Sequence, residues 1–164
     1  MADRAQVERT WVGFEVGGVM YAVPIQFVRE IIRPLPMQVL PHASPTVIGV
    51  IDHRGDVVPV VDLRLRFRAK NTAPLTHTRW VIANWQGRLT GLVVDRVIEV
   101  FSLIESDARP VLDLGYGQEV HGITAAYSYA GRLVFTLDIE RITQTSDGPQ
   151  GPELEALSAG AEGT

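Results

Sequence analysis

The sequence contains no cysteine, which excludes a disulfide framework, a thiolate nucleophile and a zinc site built on cysteine. It also lacks any apolar run of the roughly 18 to 20 residues that a membrane helix needs. The N-terminal segment 1–9 has no apolar region of the kind found in a signal peptide. From these absences we expect a soluble, cytoplasmic protein with no direct membrane insertion.

Sequence motifs of known catalytic sites are missing as well. The chain has no glycine-rich phosphate loop and no G-x-S-x-G, and its histidines are dispersed without an H-E-x-x-H pair. We therefore predict no enzyme, no cofactor and no metal site. His53 alone is of interest, because it lies in a predicted hairpin turn; the other histidines are His42, His77 and His121.

The body of the chain lacks an excess of charge of either sign. The last twenty residues, 145–164, hold four acids and no base, and removing those acids from the total of 19 leaves 15, equal to the 15 Lys plus Arg. A neutral body gives no electrostatic footprint for nucleic acid or an anionic membrane. The composition of residues 144–164, rich in Gly, Pro, Ser, Ala and acid, predicts a disordered acidic tail.

What the chain does contain is β-branched residues in short runs. Thr46 to Ile51 and Val57 to Leu63 flank a polar cluster at 52–56, which is the pattern of a hairpin with a short loop. Arg54 precedes Gly55 in this turn and is expected to project into solvent. Pro59 lacks an N–H, so the second strand is predicted to lie at an edge or bulge. One side of the hairpin should then be open to a partner.

The pattern of strands and turns occurs twice. The segments 11–32 and 80–101 match at an offset of 69 without a gap, with Trp11/Trp80, Val28/Val97 and Glu30/Glu99 identical. Further along, Gly49 matches Gly122 at an offset of 73, and residues 55–63 match 131–139 at an offset of 76. Three segments in the same order indicate an internal duplication.

Each half offers four or five short strands, which favours a closed barrel over an open sheet with two exposed edges. We therefore predict an all-β protein with two five-stranded barrels side by side and a groove between them that can receive a partner. The predicted segments are a flexible tail at 1–10, a domain at 11–143 and the acidic tail. Within the domain, the barrel halves are 11–66 and 79–143, joined by a linker at 67–78. Helical signals are limited to a single turn after Pro24 and another from Ser106, within a polar excursion at 102–118.

Two features allow other functions. The basic run Arg64–Lys70, with one aromatic residue inside it, could follow a phosphate backbone, so a tandem-barrel protein that binds single-stranded nucleic acid is the alternative. Asp62 and Asp138 are equivalent in the duplication and could form a carboxylate dyad. Their bulky and charged neighbours instead favour two strand ends that accept hydrogen bonds from turn N–H groups.

The chain resembles the CheW family of chemosensory coupling proteins from about Trp11 to Thr143. The R-G-x-x-V-P-V-x-D-L core of the hairpin is the most specific part of this resemblance. The segments that carry it are Tyr21-Ala-Val-Pro-Ile25, Val28-Arg-Glu-Ile-Ile32, Gly49 to Arg64, Gly91-Leu-Val-Val-Asp-Arg-Val97 and Gly131 to Ile139.

The resemblance implies two five-stranded SH3-like barrels and no enzymatic activity. It implies that the chain is an adaptor that joins the cytoplasmic tip of methyl-accepting chemoreceptors to the regulatory domain of a CheA-type histidine kinase, within receptor arrays. By this resemblance, the receptor-binding residues are Arg54, Val57, Gly91 and Val97. A second set lies at a partner surface of the receptor or the kinase: Val28, Glu30 and Ile31.

The chain departs from the family in the turn itself. Asp52-His53 stands where Asn-Leu is usual, so an acidic and a titratable residue lie beside Arg54. This departure suggests a changed choice of partner, as in a paralogue that serves a motility or pilus-type pathway.

Overall fold

The computed structural model describes residues 6–41, 44–70, 74–111 and 122–144. These residues form β-strands with two one-turn helices and three single 3₁₀ turns, at Ile25–Phe27, Leu75–His77 and Glu105–Asp107. The prediction of an all-β protein with two five-stranded sheets is confirmed. The elements are β1 Glu8–Val16, β2 Val19–Pro24, β3 Val28–Ile32, β4 Val47–His53, β5 Asp56–Asp62, α1 Leu63–Arg66, β6 Arg79–Trp85, β7 Arg88–Val94, β8 Arg96–Ile104, β9 Ile123–Tyr129, β10 Arg132–Leu137 and α2 Ile139–Ile142.

The two sheets do not coincide with the two halves of the repeat. One sheet, here the terminal sheet, has the order β8-β1-β2-β10-β9, and the other, the central sheet, has the order β3-β6-β7-β5-β4. The prediction that 11–66 and 79–143 each build one barrel is therefore wrong. A repeat specifies which segments are strands, but it does not specify which copy supplies the neighbour of each strand.

The duplication itself extends to every element. When β1 to β5 and α1 are replaced by β6 to β10 and α2, and the reverse, the strand order of one sheet becomes that of the other. In each sheet a parallel pairing joins the two halves, β2 with β10 and β7 with β5. Each sheet thus takes two strands from one half and three from the other.

Turns and bulges repeat together with the strands. All four hairpins have two central residues with positive φ, the type I′ geometry that suits the twist of antiparallel strands: Gly17-Gly18, Arg54-Gly55, Gln86-Gly87 and Ala130-Gly131. The register of β3 against β6 shifts between Val28 and Glu30 and leaves Arg29 unmatched. The same shift leaves the counterpart of Arg29, Ile98, unmatched between β8 and β1.

The core has a shared part and two separate parts. The shared part packs residues of both sheets and both helices, including Phe14, Tyr21, Leu63, Leu92 and Ile142. Each sheet adds a cluster of its own around one tryptophan, Trp11 in the terminal sheet and Trp80 in the central sheet. Because burial of apolar area is the main stabilising term, the shared cluster couples the two barrels in one folding unit.

Asp62 and Asp138 cap the two helices. Asp62 Oδ1 accepts from the Arg64 N–H (2.9 Å) and Asp138 Oδ1 from the Glu140 N–H (2.9 Å). Each carboxylate therefore caps its own helix, as the sequence contexts favoured.

The placement of Pro59 differs from the prediction. β5 lies between β4 and β7, so Pro59 is not in an edge strand. It is accommodated because the parallel pairing with β7 includes only Val60 to Asp62. The outer strand of the hairpin is β4, and part of its edge is covered by Gln38, which exchanges two 2.9 Å backbone hydrogen bonds with Val50.

The remaining expectations concern loops and termini. The turn after Pro24 is present, whereas β8 continues to Ile104 and shortens the excursion predicted from Ser102; the turn expected from Ser106 begins at Glu105. The acidic tail, His42, His121 and the part of the excursion beyond 111 lie outside the described residues. Among the helices of the described segments, none is long and apolar enough to cross a membrane.

Candidate functional site

The hairpin β4–β5 and the strand β3 bring three side chains together, which we call the Arg54 corner. His53 Nε2–H donates to Glu30 Oε2 (2.9 Å), and Arg54 Nη2–H donates to Glu30 Oε1 (3.0 Å). The bulge at Arg29 helps to aim Glu30 toward the hairpin, since a bulge changes the direction of the side chains beside it. Residues 24 positions apart thus form one polar cluster.

The local backbone holds Arg54 outward. Its φ of 53° belongs to the left-handed region, and the type I′ turn with Gly55 requires that conformation. Asp52 Oδ1 also accepts from the Gly55 N–H (3.0 Å) and stabilises the turn. The side chain of Arg54 is 75% exposed, so its guanidinium retains donors for a partner while one of them is bound to Glu30.

The electrostatics of the corner centre on Glu30. The hydrogen bond from His53 is the main reason that the pKa of Glu30 lies below its ordinary value; the positive charges of Arg54 and Arg29 act in the same direction, and desolvation opposes them. The acid is therefore ionised at neutral pH and acts as the acceptor for both neighbours.

Beside the corner lies an open cleft of about 340 Å³, here the hairpin cleft. Val57 stands in its wall and is 75% exposed, an unusual degree for a valine at the start of a strand. Arg29 and Arg88 add positive charge at the cleft. The lining residues are Arg29, Asp56, Val57, Pro59, Gly87, Arg88, Leu89 and Thr90.

A second depression, of about 250 Å³, lies between the two sheets and is called here the inter-sheet groove. Ile31 of the central sheet and Val97 of the terminal sheet meet in it, with Arg79, Arg96 and His77 at its sides. Arg96 is held by Glu15 through contacts of 2.9 and 2.7 Å, and Arg79 donates to the carbonyl of Thr78 (2.8 Å). An apolar groove with fixed cations at its rim suits an amphipathic segment of another protein.

Five of the seven predicted site residues lie at these surfaces: Glu30, Arg54 and Val57 at the Arg54 corner and the hairpin cleft, and Ile31 and Val97 in the inter-sheet groove. The other two, Val28 and Gly91, lie elsewhere. Val28 is half-buried and packs against the shared core. Gly91 is buried in the central sheet, with Val60 and Ile82 side-chain atoms 3.6 Å from the position that a Cβ would occupy. The structure does not bring Gly91 to the surface with Arg54 and Val57, so any influence on a partner has to act through packing.

Sequence reasoning missed the ion pairs that shape both surfaces. The pairing of Glu15 with Arg96 and of Glu30 with His53 depends on register and bulges, which the hydrophobic pattern does not reveal. The sequence contained one signal for the groove, because a basic residue, Arg96, directly precedes the predicted site residue Val97.

The basic run 64–70 is partly occupied in structural contacts. Arg64 forms a two-point ion pair with Asp62 (3.0 and 2.9 Å), which raises the pKa of Arg64, and Arg66 Nη2 donates to the Arg141 carbonyl (2.7 Å). Phe67 packs on Tyr21, with ring centroids 4.7 Å apart. This part of the run is therefore not the free cationic strip that the nucleic-acid alternative needs. Within the described segments, His, Asp and Glu side chains form no group of three or more that could hold a metal ion.

Comparison with known proteins identifies relatives over most of the chain. Residues 10–147 match the family described as the CheW-like domain. The chain is 30% identical over 134 residues to chemotaxis protein CheW of Rhizobium meliloti, covering 82% of this chain and 86% of that protein. It is 32% identical over 111 residues to protein FrzA of Myxococcus xanthus, covering 67% and 69%.

A solved structure has the same fold. The crystal structure of the scaffolding protein TtCheW from Thermoanaerobacter tengcongensis superposes with a TM-score of 0.77 at 20% identity and covers 88% of this chain and 93% of that one. This likeness supports the description of the two sheets as SH3-like barrels.

Proposed function

The chain belongs to the CheW-like family, whose role is that of a scaffold or adaptor in chemosensory signalling, and we propose that it couples methyl-accepting chemoreceptors to a CheA-type histidine kinase. Coupling is by protein–protein contact alone, without a chemical step. The chain acts in the cytoplasm, next to receptor arrays. The similarity to FrzA is compatible with a paralogous pathway and does not assign one.

The observation that carries the proposal is the Arg54 corner beside an exposed valine. Interfaces concentrate their energy in a few anchors, and arginine is prominent among them because its planar fork of donors matches a carboxylate. The left-handed backbone of the turn fixes the direction in which the exposed Arg54 side chain leaves the hairpin, so Arg54 loses less conformational freedom on binding than an arginine in an irregular loop. Val57 supplies apolar area next to it.

The inter-sheet groove supplies a second contact. Chemoreceptor tips are helical, and a helix presents apolar side chains along one stripe with polar residues beside it. Ile31 and Val97 would contact such a stripe, while Arg79 and Arg96 would meet acidic residues at its margin. We assign the receptor to this groove and to Arg54 and Val57; Glu30 is assigned to the receptor or the kinase through its hold on Arg54.

The test is equilibrium binding of the purified chain to two probes, the cytoplasmic fragment of a chemoreceptor and the regulatory domain of a CheA-type kinase, both from the source organism. Arg54→Ala should weaken receptor binding about thirtyfold or more, which corresponds to a hot spot of about 2 kcal/mol. Its melting curve should match the wild type, because an exposed ion pair contributes little to stability.

Arg9→Ala is the matched control. Like Arg54, Arg9 is exposed and contacts an acid, Glu105 (3.6 Å), but it lines neither the hairpin cleft nor the inter-sheet groove. It should leave receptor binding unchanged. Equal losses in both variants would show a nonspecific charge effect, and unchanged binding in Arg54→Ala would remove Arg54 from the interface.

A further inference from the structure

We infer that His53 is a positioning residue whose protonation strengthens binding at the Arg54 corner. A partner that draws Arg54 away from Glu30 leaves His53 as the remaining cation beside that carboxylate. Such a partner therefore binds more tightly at acid pH. This inference rests on the proposed function, since it concerns the same Arg54 contact. It adds a dependence on pH that arises from a residue where this chain departs from the family pattern.

The geometry divides Glu30 between two partners. One carboxylate oxygen is bound to Arg54 and the other to His53. Arg54 is the exposed partner, whereas the His53 side chain is only 13% exposed and Glu30 28%. When a carboxylate of another protein takes the guanidinium, Glu30 remains partly buried with His53 as its one direct partner.

The cations beside Glu30 determine how strongly a charged His53 is favoured. Imidazole groups change charge within the physiological range of pH. While Arg54 is bound to Glu30, the carboxylate is already paired with a cation, so a neutral His53 can serve as a donor. Once Arg54 leaves, a charged His53 stabilises Glu30 more than a neutral one does. Binding therefore takes up part of a proton, and by linkage the affinity rises as pH falls.

Other charged groups near the corner also influence whether the His53 imidazole is charged. Acids favour the charged imidazole and neighbouring arginines oppose it. Strand β3 contributes Glu30 and Arg29, and the hairpin contributes Arg54 and Asp56, which lies opposite His53 in the β-ladder. With Arg54 engaged elsewhere, two acids and one arginine remain near His53, so the charge balance shifts toward the protonated ring.

The experiment measures receptor-fragment binding from pH 8 to pH 6 for the wild type and His53→Gln. Glutamine keeps a side-chain donor for Glu30 and does not titrate. Wild-type affinity should rise about two- to fivefold toward pH 6, the range of one partly exposed charge pair. The dependence should be flat in His53→Gln. Equal slopes in both proteins would overturn the inference while the coupling function stands.

A second measurement needs no partner and separates the two hypotheses. In the chain alone, Arg54→Ala imitates the loss of Arg54 from Glu30, so the His53 ring resonances should titrate at higher pH than in the wild type. The shift should be reduced when Glu30→Gln is added. An unmoved titration overturns the inference, and a shift without receptor binding at any pH supports it as a property of the corner while rejecting the proposed function.

Discussion

The Arg54 corner and its counterpart in the terminal sheet have the same backbone and different chemistry. Glu30, His53 and Arg54 correspond by the repeat to Glu99, Tyr129 and Ala130, which we call the Tyr129 corner. Both corners have a register shift before the glutamate and a type I′ turn ending in glycine. In both corners the strand glutamate acts on the residue before the turn: Glu30 accepts a hydrogen bond from His53, and Glu99 contributes to a raised pKa of Tyr129.

The difference lies in the side chains that meet solvent. Tyr129 stacks on Phe101, with ring centroids 4.4 Å apart, and alanine replaces the arginine of the turn. An exposed aliphatic residue follows in both corners, Val57 at 75% and Leu133 at 53%. The repeat thus supplies the same backbone twice. Because arginine stands at 54 and alanine at the equivalent position 130, the Arg54 corner alone of the two has a cation in its turn.

The largest asymmetry in stability is expected between the two helix caps. Asp62 is buried and paired with Arg64, whereas Asp138 caps its helix from a less buried position. Asp62→Ala should lower the free energy of unfolding by about 3 kcal/mol, since it leaves a partly buried guanidinium without its acid. Asp138→Ala should cost about 1 kcal/mol. Urea titration of both variants measures the difference, and equal costs would show that the ion pair adds nothing to the cap.

Two buried glycines at non-equivalent positions should differ in how much an alanine substitution costs. A Cβ on Gly13 would overlap the ring of Phe101 and lie 2.9 Å from the end of Met20, so Gly13→Ala should cost about 1–3 kcal/mol. At Gly91 the nearest atoms are at 3.6 Å, an ordinary contact, and its counterpart in the repeat is Ala22.

Gly91→Ala should therefore change the free energy of unfolding by less than about 1 kcal/mol. It should also leave receptor binding intact, because the residue does not reach the surface. Calorimetric melting and the binding assay measure both quantities. A strong loss of binding with an unchanged melting temperature would place Gly91 in the interface after all.

The loss of stability of the protein at acid pH should depend in part on Glu30. Its pKa is lowered on folding, so its contribution is present above the ordinary value of 4.5 and is lost as pH falls through the lower value in the folded state. Glu30→Gln should reduce the decline of the urea midpoint between pH 5 and pH 3. A decline as steep as that of the wild type would mean that other carboxylates account for it.

The smallest expected effect is on the free energy of unfolding at alkaline pH, and it comes from Tyr129. Desolvation raises the pKa of Tyr129, and the charge and hydrogen bond of Glu99 add to the rise. The neutral phenol thus contributes stability below its ordinary value of 10.0, and this contribution is lost as pH rises through the higher folded value. Tyr129→Phe should flatten the loss of stability above pH 10, measured by the same urea titrations.

The sequence predicted the local elements of the fold better than their partners. The hairpin at Arg54, the repeat and the capping aspartates follow from alternation, turn residues and offsets, which are local signals. The exchange of strands between the halves, the interior position of β5 despite Pro59, and the contact of His53 with Glu30 depend on long-range register. The bulge at Arg29 illustrates the reason, because a single unmatched residue redirects Glu30 and leaves no mark in the hydrophobic pattern.

The exchange of strands between the halves bears on how such a protein can be divided or assembled. One copy of the repeat, ending before β6, contains two strands of one sheet and three of the other, so it can complete neither sheet alone. Two separate copies could complete both by trading strands across a twofold axis, which is a domain-swapped dimer. Fusing them converts an association that depends on concentration into an intramolecular one, so the single chain retains its paired barrels at any dilution.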